Sequence, residues 1–370
     1  MIVPVVGAGS VAGSGSASAI RIGAGLLGRL PGLLAEVVPA SAVALVVPDD
    51  IESLYGEPVL SSMRAAGLRA ELLAFRAGEA FKTRDTWAEL TDRMLELRFG
   101  RDSCVVALGG GVAGDVAGFV AATYMRGVPV VQVPTTLLAM LDASVGGKTG
   151  VDTPAGKNLV GAFHPPRLVV MDPLVLRSLP AMELRSGLAE AVKHGAILDD
   201  AYFDWIRAHA GALLAVDPSA LELLVRRSVE LKAGVVAEDP FEHGRRAILN
   251  FCHTVGHALE LRAHFGIPHG FAVAEGMIAE CTIGEHAGVT EPGTVELLSA
   301  ALRELGLPAA TGAFTDLLDS MRLDKKARGA EPRFSLLARI GECARADDGG
   351  WTHTVESDVL HAASAAVVDV

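Results

Sequence analysis

Cys104-Val-Val-Ala-Leu-Gly109-Gly-Gly-Val-Ala-Gly-Asp115-Val-Ala-Gly-Phe119 is the stretch on which the reading of this chain turns. Cys104–Leu108 is a short apolar run rich in β-branched residues, the composition of a strand buried on both faces of a parallel sheet. It runs straight into three consecutive glycines. Glycine lets a backbone approach a phosphate closely, and the helix that follows such a turn offers free N–H groups and the positive end of its dipole. A tight turn for helix–sheet packing accounts for one glycine, but not for three. The expectation is a nucleotide held at the end of a parallel strand.

The same grammar recurs on both sides. Ala42–Val47, stopped by Pro48-Asp-Asp50, reads as a buried parallel strand. A second strand is expected over Arg69–Phe75 and helix over Arg84–Arg98. Val130–Val133 runs into Pro134-Thr-Thr136, and Leu168–Met171 is one more strand. Strand, crossover, strand predicts a parallel α/β sheet whose ligands collect at the carboxyl ends of its strands. From about Met182 the character changes to Ala/Leu/Glu/Arg stretches with helical spacing: 182–197, 201–216, 218–237, 246–263, 270–287 and 293–305. Prolines at 218, 240, 268, 292 and 308 punctuate them. The fold class is therefore an α/β N-terminal domain with a mainly parallel nucleotide-binding sheet over 1–178. A mostly α-helical domain follows over 179–370, ending in one or two weak strands, Phe334–Leu337 the better, and a last helix after Asp358. The opening Gly7-Ala-Gly9-Ser-Val-Ala-Gly13 only superficially resembles a dinucleotide fingerprint. Its third glycine is one place late and no strand-to-helix unit surrounds it, so this piece reads as a flexible opening turn.

At 370 residues the chain exceeds one average domain. Half of it is hydrophobic but only 5% is aromatic, so its cores must be built from Ala, Val, Leu and Ile. The net charge of −12 argues against a nucleic-acid or anionic-membrane partner, since no global positive field would attract a phosphate polymer. There is no basic signal-peptide start, and no unbroken apolar stretch of the ~20 residues that would span a bilayer. Cys104, Cys252, Cys281 and Cys343 form no C-x-x-C pair and read as reduced thiols of a cytoplasmic protein.

Two further constellations carry chemistry. Between Val133 and Asn158, a strand end with two hydroxyls (Thr135, Thr136) is followed by Asp142, then by Lys148, Lys157 and Asn158 among glycine-rich turns. Lysines so placed look like donors for a small anion rather than a solvated helix face. Then Glu190, in Gly187-Leu-Ala-Glu-Ala-Val-Lys193-His194, joins Asn250-Phe-Cys-His253-Thr-Val-Gly-His257 and Pro268-His269-Gly270. The i, i+4 spacing puts His253 and His257 on one helical face. One carboxylate and two imidazoles with open positions left over is the donor kit of a catalytic Zn²⁺ site.

In order and spacing these segments resemble the 3-dehydroquinate synthase family of the sugar-phosphate cyclase superfamily. The likeness runs from about residue 40 to 340. G-G-G-V-x-G-D, V-P-T-T-L-L-A-M-x-D-x-S-x-G-G-K-T, G-K-N-L-x-G, G-L-A-E-x-x-K, L-N-F-x-H-T-x-G-H-A and a late D-K-K are specific jointly, not singly. The resemblance implies that Glu190, His253 and His269 bind Zn²⁺ or Co²⁺. It implies that NAD is held by Asp49, Glu79, Lys82, Gly110, Gly111, Val112, Asp115, Thr135, Thr136, Ser178, Leu179 and Glu183. Asp142, Lys148, Lys193, Glu190, Asn250 and His257 match the catalytic set. Lys157, Asn158 and either Lys325 or Lys326 match substrate binding, Lys232 and Arg246 the grip on a substrate carboxylate, and Arg126 an arginine lent to the phosphate site of a partner in a homodimer. Cys252 and Phe271 depart from the family pattern: glycine is usual at the first, a small or acidic residue at the second.

The activity so implied converts 3-deoxy-D-arabino-heptulosonate 7-phosphate to 3-dehydroquinate and phosphate, a step of aromatic biosynthesis. It proceeds by transient oxidation with NAD, phosphate elimination, re-reduction and intramolecular aldol closure. Related cyclases act on substrates without a carboxylate, and a buried Lys–Arg pair would be costly there. Lys232 and Arg246 thus favour a carboxylated substrate, dehydroquinate or aminodehydroquinate chemistry. An NAD-dependent polyol dehydrogenase would share the glycine turn and the metal ligands but would not need Lys148, Lys157, Asn158, Lys193, Lys232 and Arg246.

Overall fold

The computed structural model describes residues 18–263, 266–309, 314, 317 and 332–366. Gly7–Gly13, Lys325 and Lys326 lie outside them. The chain divides into two compact units, Met1–Leu179 and Pro180–Val370.

In the first unit, β1 (Ala19–Ile22), β2 (Ala42–Pro48), β3 (Ala70–Phe75), β4 (Ser103–Gly109), β5 (Val130–Pro134) and β8 (Leu168–Met171) form one sheet, ordered β1-β8-β5-β4-β2-β3. Every pairing in it is parallel, as the apolar runs predict. Alternation along β2 explains the layers. Ala42, Ala44 and Val46 pack with Leu90, Met94 and Val116 of α3 (Arg84–Glu96) and α4 (Gly111–Thr123). Val43, Leu45 and Val47 pack with Leu33, Leu34, Val59 and Met63 of α1 (Leu30–Val37) and α2 (Glu57–Ala65). The chain steps outward from β2 to β3, then back past β2 to β4 and outward the other way. The order therefore reverses between β2 and β4, the switch point at which open α/β sheets collect ligands. Asp49 follows β2 there, and Gly110–Gly111 follow β4.

One strand was not expected and one reading needs correction. β1 pairs Ala19 with Leu168 and Ile22 with Met171, because Ile20 can bury its side chain in the sheet. The segment carrying Lys148, Lys157 and Asn158 is not a set of turns but a hairpin, β6 (Lys148–Thr153) against β7 (Gly156–Phe163). Its glycines serve a close strand approach, since a Cβ on Gly150 would lie 2.8 Å from the Val160 carbonyl oxygen.

The second unit is mainly helical: α5 (Ala181–Leu198), α6 (Asp200–Ala208), α7 (Ala210–Leu214), α8 (Pro218–Glu238), α9 (His253–Arg262), α10 (His269–His286), α11 (Thr294–Glu304) and a last described helix, Ser357–Ala366. The helix expected over 201–216 breaks at His209, whose Nδ1 bonds the Trp205 carbonyl at 2.8 Å. The one expected over 246–263 is a 3-10 turn, Arg245–Asn250, then α9, because Cys252 takes φ 69° and redirects the chain. The weak strand lies later than expected, as β9 (Leu337–Arg339) paired with β10 (Glu342–Cys343). All four cysteines are buried free thiols. No helix among the described residues is long and apolar enough to cross a membrane.

Helices α5 and α6 meet at Gly195, where an added Cβ would stand 2.9 Å from the Phe203 Cα. Overpacking of this kind costs about 1–3 kcal/mol. Gly195→Ala should therefore lower the denaturant midpoint of unfolding; a wild-type midpoint would show that α5 and α6 can part freely.

Candidate active site

In the second unit three side chains from three helices face one another. Glu190 comes from the middle of α5, fully buried; His253 opens α9 and His269 opens α10. Both His253 Nε2 and His269 Nε2 lie 3.5 Å from Glu190 Oε1. The three donor atoms fall within 4.8 Å of one another.

The local sequence explains the placement. Ser186 and Glu190 are one turn apart on α5. Gly270 has no room for a side chain because it sits against the Ser186 backbone, and its N–H donates to Ser186 Oγ at 2.9 Å. The start of α10, and His269 with it, is thereby fixed one turn from Glu190.

The electrostatics suit a divalent cation. Burial would push the Glu190 carboxyl up, but the Lys193 ammonium and the His269 and His253 rings override it and hold it well below the usual range. Lys193, one turn on and also buried, forms an ion pair with Glu190 and donates to the Leu249 carbonyl at 3.3 Å. Burial, then Lys193, bring His253 down to about 3 against the pull of Glu190. That ring is neutral, its Nδ1 donates to the Phe251 carbonyl at 3.0 Å, and its Nε2 lone pair faces Glu190. Burial would lower His269 too, but the Glu190 and Glu260 carboxylates raise it to about 10, so an ion bound at its Nε2 would displace a proton. Neither Glu190 oxygen, both buried, has a hydrogen bond of good geometry. A carboxylate with two imidazole Nε2 atoms fits Zn²⁺ or Co²⁺ and leaves coordination positions over.

Sequence reasoning missed Glu260. Its Oε1 accepts from His269 Nδ1–H at 3.3 Å, and its Oε2 is 4.0 Å from His257 Nε2. A carboxylate behind an imidazole fixes the ring and its tautomer. The signal was present as His257-x-x-Glu260, one turn along the face already marked by His253 and His257. Glu260→Gln should weaken divalent-ion binding about 10- to 100-fold in a chelator competition; wild-type affinity would deny Glu260 that part. His257 itself is mostly exposed, edge-on to His253 at 5.1 Å between ring centres.

Lys232, on α8, and Arg246 are both buried. Arg246 Nη1 donates to the Pro240 carbonyl at 2.6 Å and its backbone N–H to Asp239 Oδ2 at 2.9 Å. Exposed Asn250 donates from Nδ2 to Glu242 Oε1 at 2.7 Å. Glu183, in the first turn of α5, is exposed.

In the first unit the structure ties together residues assigned to different tasks. Lys82 is buried, pairs with Asp115 Oδ2 at 2.6 Å and donates to Asn158 Oδ1 at 2.6 Å. Lys157 pairs with Glu79 Oε1 at 3.1 Å. Asp152, another residue missed, accepts the Asn158 N–H at 2.8 Å and stabilises that residue's left-handed φ of 56°. The turn after Gly78, helix α4 and the β6–β7 hairpin are thus locked into one polar cluster. Burial lowers the Lys82 ammonium, yet Asp115 and its neighbours carry it above its ordinary value.

At the carboxyl end of β4 Gly110 caps α4, and an added Cβ would stand 3.2 Å from Thr136 Cγ2. Gly111 and Val112 are partly exposed in the first turn, which carries no acidic side chain. Thr136 Oγ1 accepts the Ala139 N–H at 3.1 Å, and Thr135 is buried beside it. Asp49 Oδ1 accepts the Ala77 N–H at 2.9 Å, and Ser178 Oγ lies 2.6 Å from the Tyr55 hydroxyl. Leu179 is half-buried just after Ser178. Asp142 lies in a π-turn, Ala139–Ala143, while Lys148 and Arg126 are exposed.

Comparison with known proteins gives one answer along the chain. The profile "3-dehydroquinate synthase N-terminal" matches residues 72–186, and "3-dehydroquinate synthase C-terminal" matches 187–327. The chain is 47% identical over 328 residues to the 3-dehydroquinate synthase of Symbiobacterium thermophilum, covering 87% of this chain and 92% of that one. Among solved structures it is similar to 2-epi-5-epi-valiolone synthase from Streptomyces hygroscopicus subsp. jinggangensis 5008, which has NAD⁺ and Zn²⁺ bound. The TM-score is 0.86 at 28% identity, over 97% of this chain and 99% of that one. It is also similar to a 2-deoxy-scyllo-inosose synthase complexed with carbaglucose-6-phosphate, NAD⁺ and Co²⁺, with a TM-score of 0.84 at 26% identity over 95% and 97% of the two chains.

Proposed function

The chain belongs to the 3-dehydroquinate synthase family, an enzyme family of phosphate-eliminating cyclases, and from that premise we propose that it converts 3-deoxy-D-arabino-heptulosonate 7-phosphate to 3-dehydroquinate and phosphate. The observation that carries this reading is the meeting of Glu190, His253 and His269 beside buried Lys193. Glu190, His253 and His269 would hold the divalent ion. Asp49, Glu79, Lys82, Gly110, Gly111, Val112, Asp115, Thr135, Thr136, Ser178, Leu179 and Glu183 would hold NAD. When bound, these two supply Lewis acidity at substrate oxygens and a transient home for one hydride.

The remaining work falls to the chain's own side chains. Lys232 and Arg246 bind the substrate carboxylate; their burial makes that contact strong, since charge-assisted bonds gain when water is excluded. Asp142, Asn250, His257 and Lys193 orient the ring hydroxyls and hold protons near the reacting carbons. Lys148, Lys157 and Asn158 bind the phosphate end and stabilise its charge as it leaves. Ring opening and aldol closure then need one conformer held in place, a proximity effect. Arg126 would serve the phosphate of a partner chain in a homodimer. A cytoplasmic setting is consistent with four free buried thiols. Favouring the carboxylated substrate over an inosose- or valiolone-forming one is the presence of both Lys232 and Arg246.

The test uses the heptulosonate phosphate with Zn²⁺ and a small amount of NAD⁺. One phosphate released per substrate consumed, with no net NADH, supports the proposal. NADH accumulating in step with substrate loss, without phosphate release, contradicts it.

A further inference from the structure

The first turn of α9, which carries His253, depends on a residue from another helix. Cys252 precedes it at φ 69° and its side chain makes no capping hydrogen bond. A non-glycine residue rarely takes that left-handed conformation without support. The support comes from Glu280, fully buried in the middle of α10. Its Oε2 accepts the Cys252 N–H at 2.9 Å and its Oε1 the Val255 N–H at 2.9 Å. A carboxylate at a helix N-terminus is favoured by the dipole and makes charge-assisted bonds to the free N–H groups.

The same turn is held from its other side. Gly276, one turn before Glu280, packs against the Cys252 carbonyl, and a Cβ on Gly256 would lie 3.1 Å from the Ala272 carbonyl oxygen. The ring of His253 takes its orientation from this backbone. Nδ1 donates to the Phe251 carbonyl at 3.0 Å and lies 3.4 Å from Cys252 Sγ, which turns Nε2 toward Glu190 at 3.5 Å.

We propose that Glu280 is a positioning residue for His253: by holding the left-handed Phe251-Cys252 turn it aims Nε2 at Glu190 and sets the affinity of the divalent-ion site. This rests on the reading of Glu190, His253 and His269 as ligands. Glu280 acts through the backbone, by the bonds its two oxygens accept from the Cys252 and Val255 N–H groups. Glycine at 252 would take the same conformation without being held, so the role of Glu280 should shrink when Cys252 is replaced.

The experiment compares wild type, Glu280→Gln, Cys252→Gly and the double variant, all full-length. Co²⁺ affinity is read by chelator competition and coordination geometry by visible absorption. Wild type should bind one equivalent of Co²⁺. Glu280→Gln should bind about 10-fold more weakly or worse, with an altered absorption band. Cys252→Gly should bind like wild type, and in the double variant it should restore much of the affinity lost. Should Glu280→Gln not fold, Glu280→Asp, which keeps the charge but shortens the reach, should give the same ordering. Wild-type Co²⁺ affinity and absorption in the Glu280 variants, with only the melting temperature changed, would overturn the proposal. A wild type that binds no Co²⁺ would overturn the ion site itself and this role with it.

Discussion

His269→Ala should reduce turnover by about three orders of magnitude and abolish tight binding of a divalent ion. Loss of several kcal/mol of Lewis-acid stabilisation translates to about that factor. The argument starts from number and placement. Of the protein donors brought together at this point, His269 supplies one Nε2, 3.5 Å from Glu190 Oε1. Alanine removes it and also strips Glu260 of the imidazole it holds at 3.3 Å. Glu190 would keep only its existing ion pair with Lys193 and the His253 ring 3.5 Å away. The helix itself should survive, because Gly270 keeps its bond to Ser186. NAD⁺ affinity should stay within about twofold, since every proposed NAD contact except Glu183 belongs to the other unit. The check is metal content after dialysis, together with turnover in excess Zn²⁺. Normal turnover with normal metal content would remove His269 from the ligand set.

Lys148→Ala should slow phosphate release by about 100- to 1,000-fold, the usual effect of removing one preorganised charge stabiliser. Lys148 opens β6, and the same hairpin carries Lys157 and Asn158, both tied into the Lys82–Asp115 cluster. Lys148 is exposed at the rim of that rigid frame, so its loss should not disturb the fold. Rapid mixing should show the transient NADH signal forming as in wild type but decaying slowly. Loss of NAD⁺ binding instead would reassign Lys148 to the cofactor.

How much of this was legible depends on what kind of force places each residue. The β4–glycine–α4 unit was readable because a strand buried on both faces must be apolar throughout and because three glycines have little other use. The hairpin at Lys148–Phe163 was not. Its glycines read as turn residues, whereas Gly150 and Gly161 are small so that two backbones can touch. The break at Cys252 does not show in the spacing for a similar reason: helical periodicity runs through 246–263, and the left-handed cysteine is held by Glu280 from another helix. Glu260 and Glu280 show the two cases side by side. Glu260 shares a helical face with His253 and His257 and could have been found by extending that face one turn. Glu280 is joined to Cys252 and Val255 only by the packing of α10 on α9, which no spacing within either segment records. Lys325 and Lys326, expected at the phosphate, lie outside the described residues.

The most direct measurement is the mass of the product formed from 3-deoxy-D-arabino-heptulosonate 7-phosphate with Zn²⁺ and a catalytic amount of NAD⁺. The account predicts a single carbocyclic acid lighter than the substrate by one phosphoric acid, with NAD⁺ recovered unchanged. A phosphate-bearing product two hydrogens lighter than the substrate, formed with one NADH each, would contradict it and make the chain a dehydrogenase.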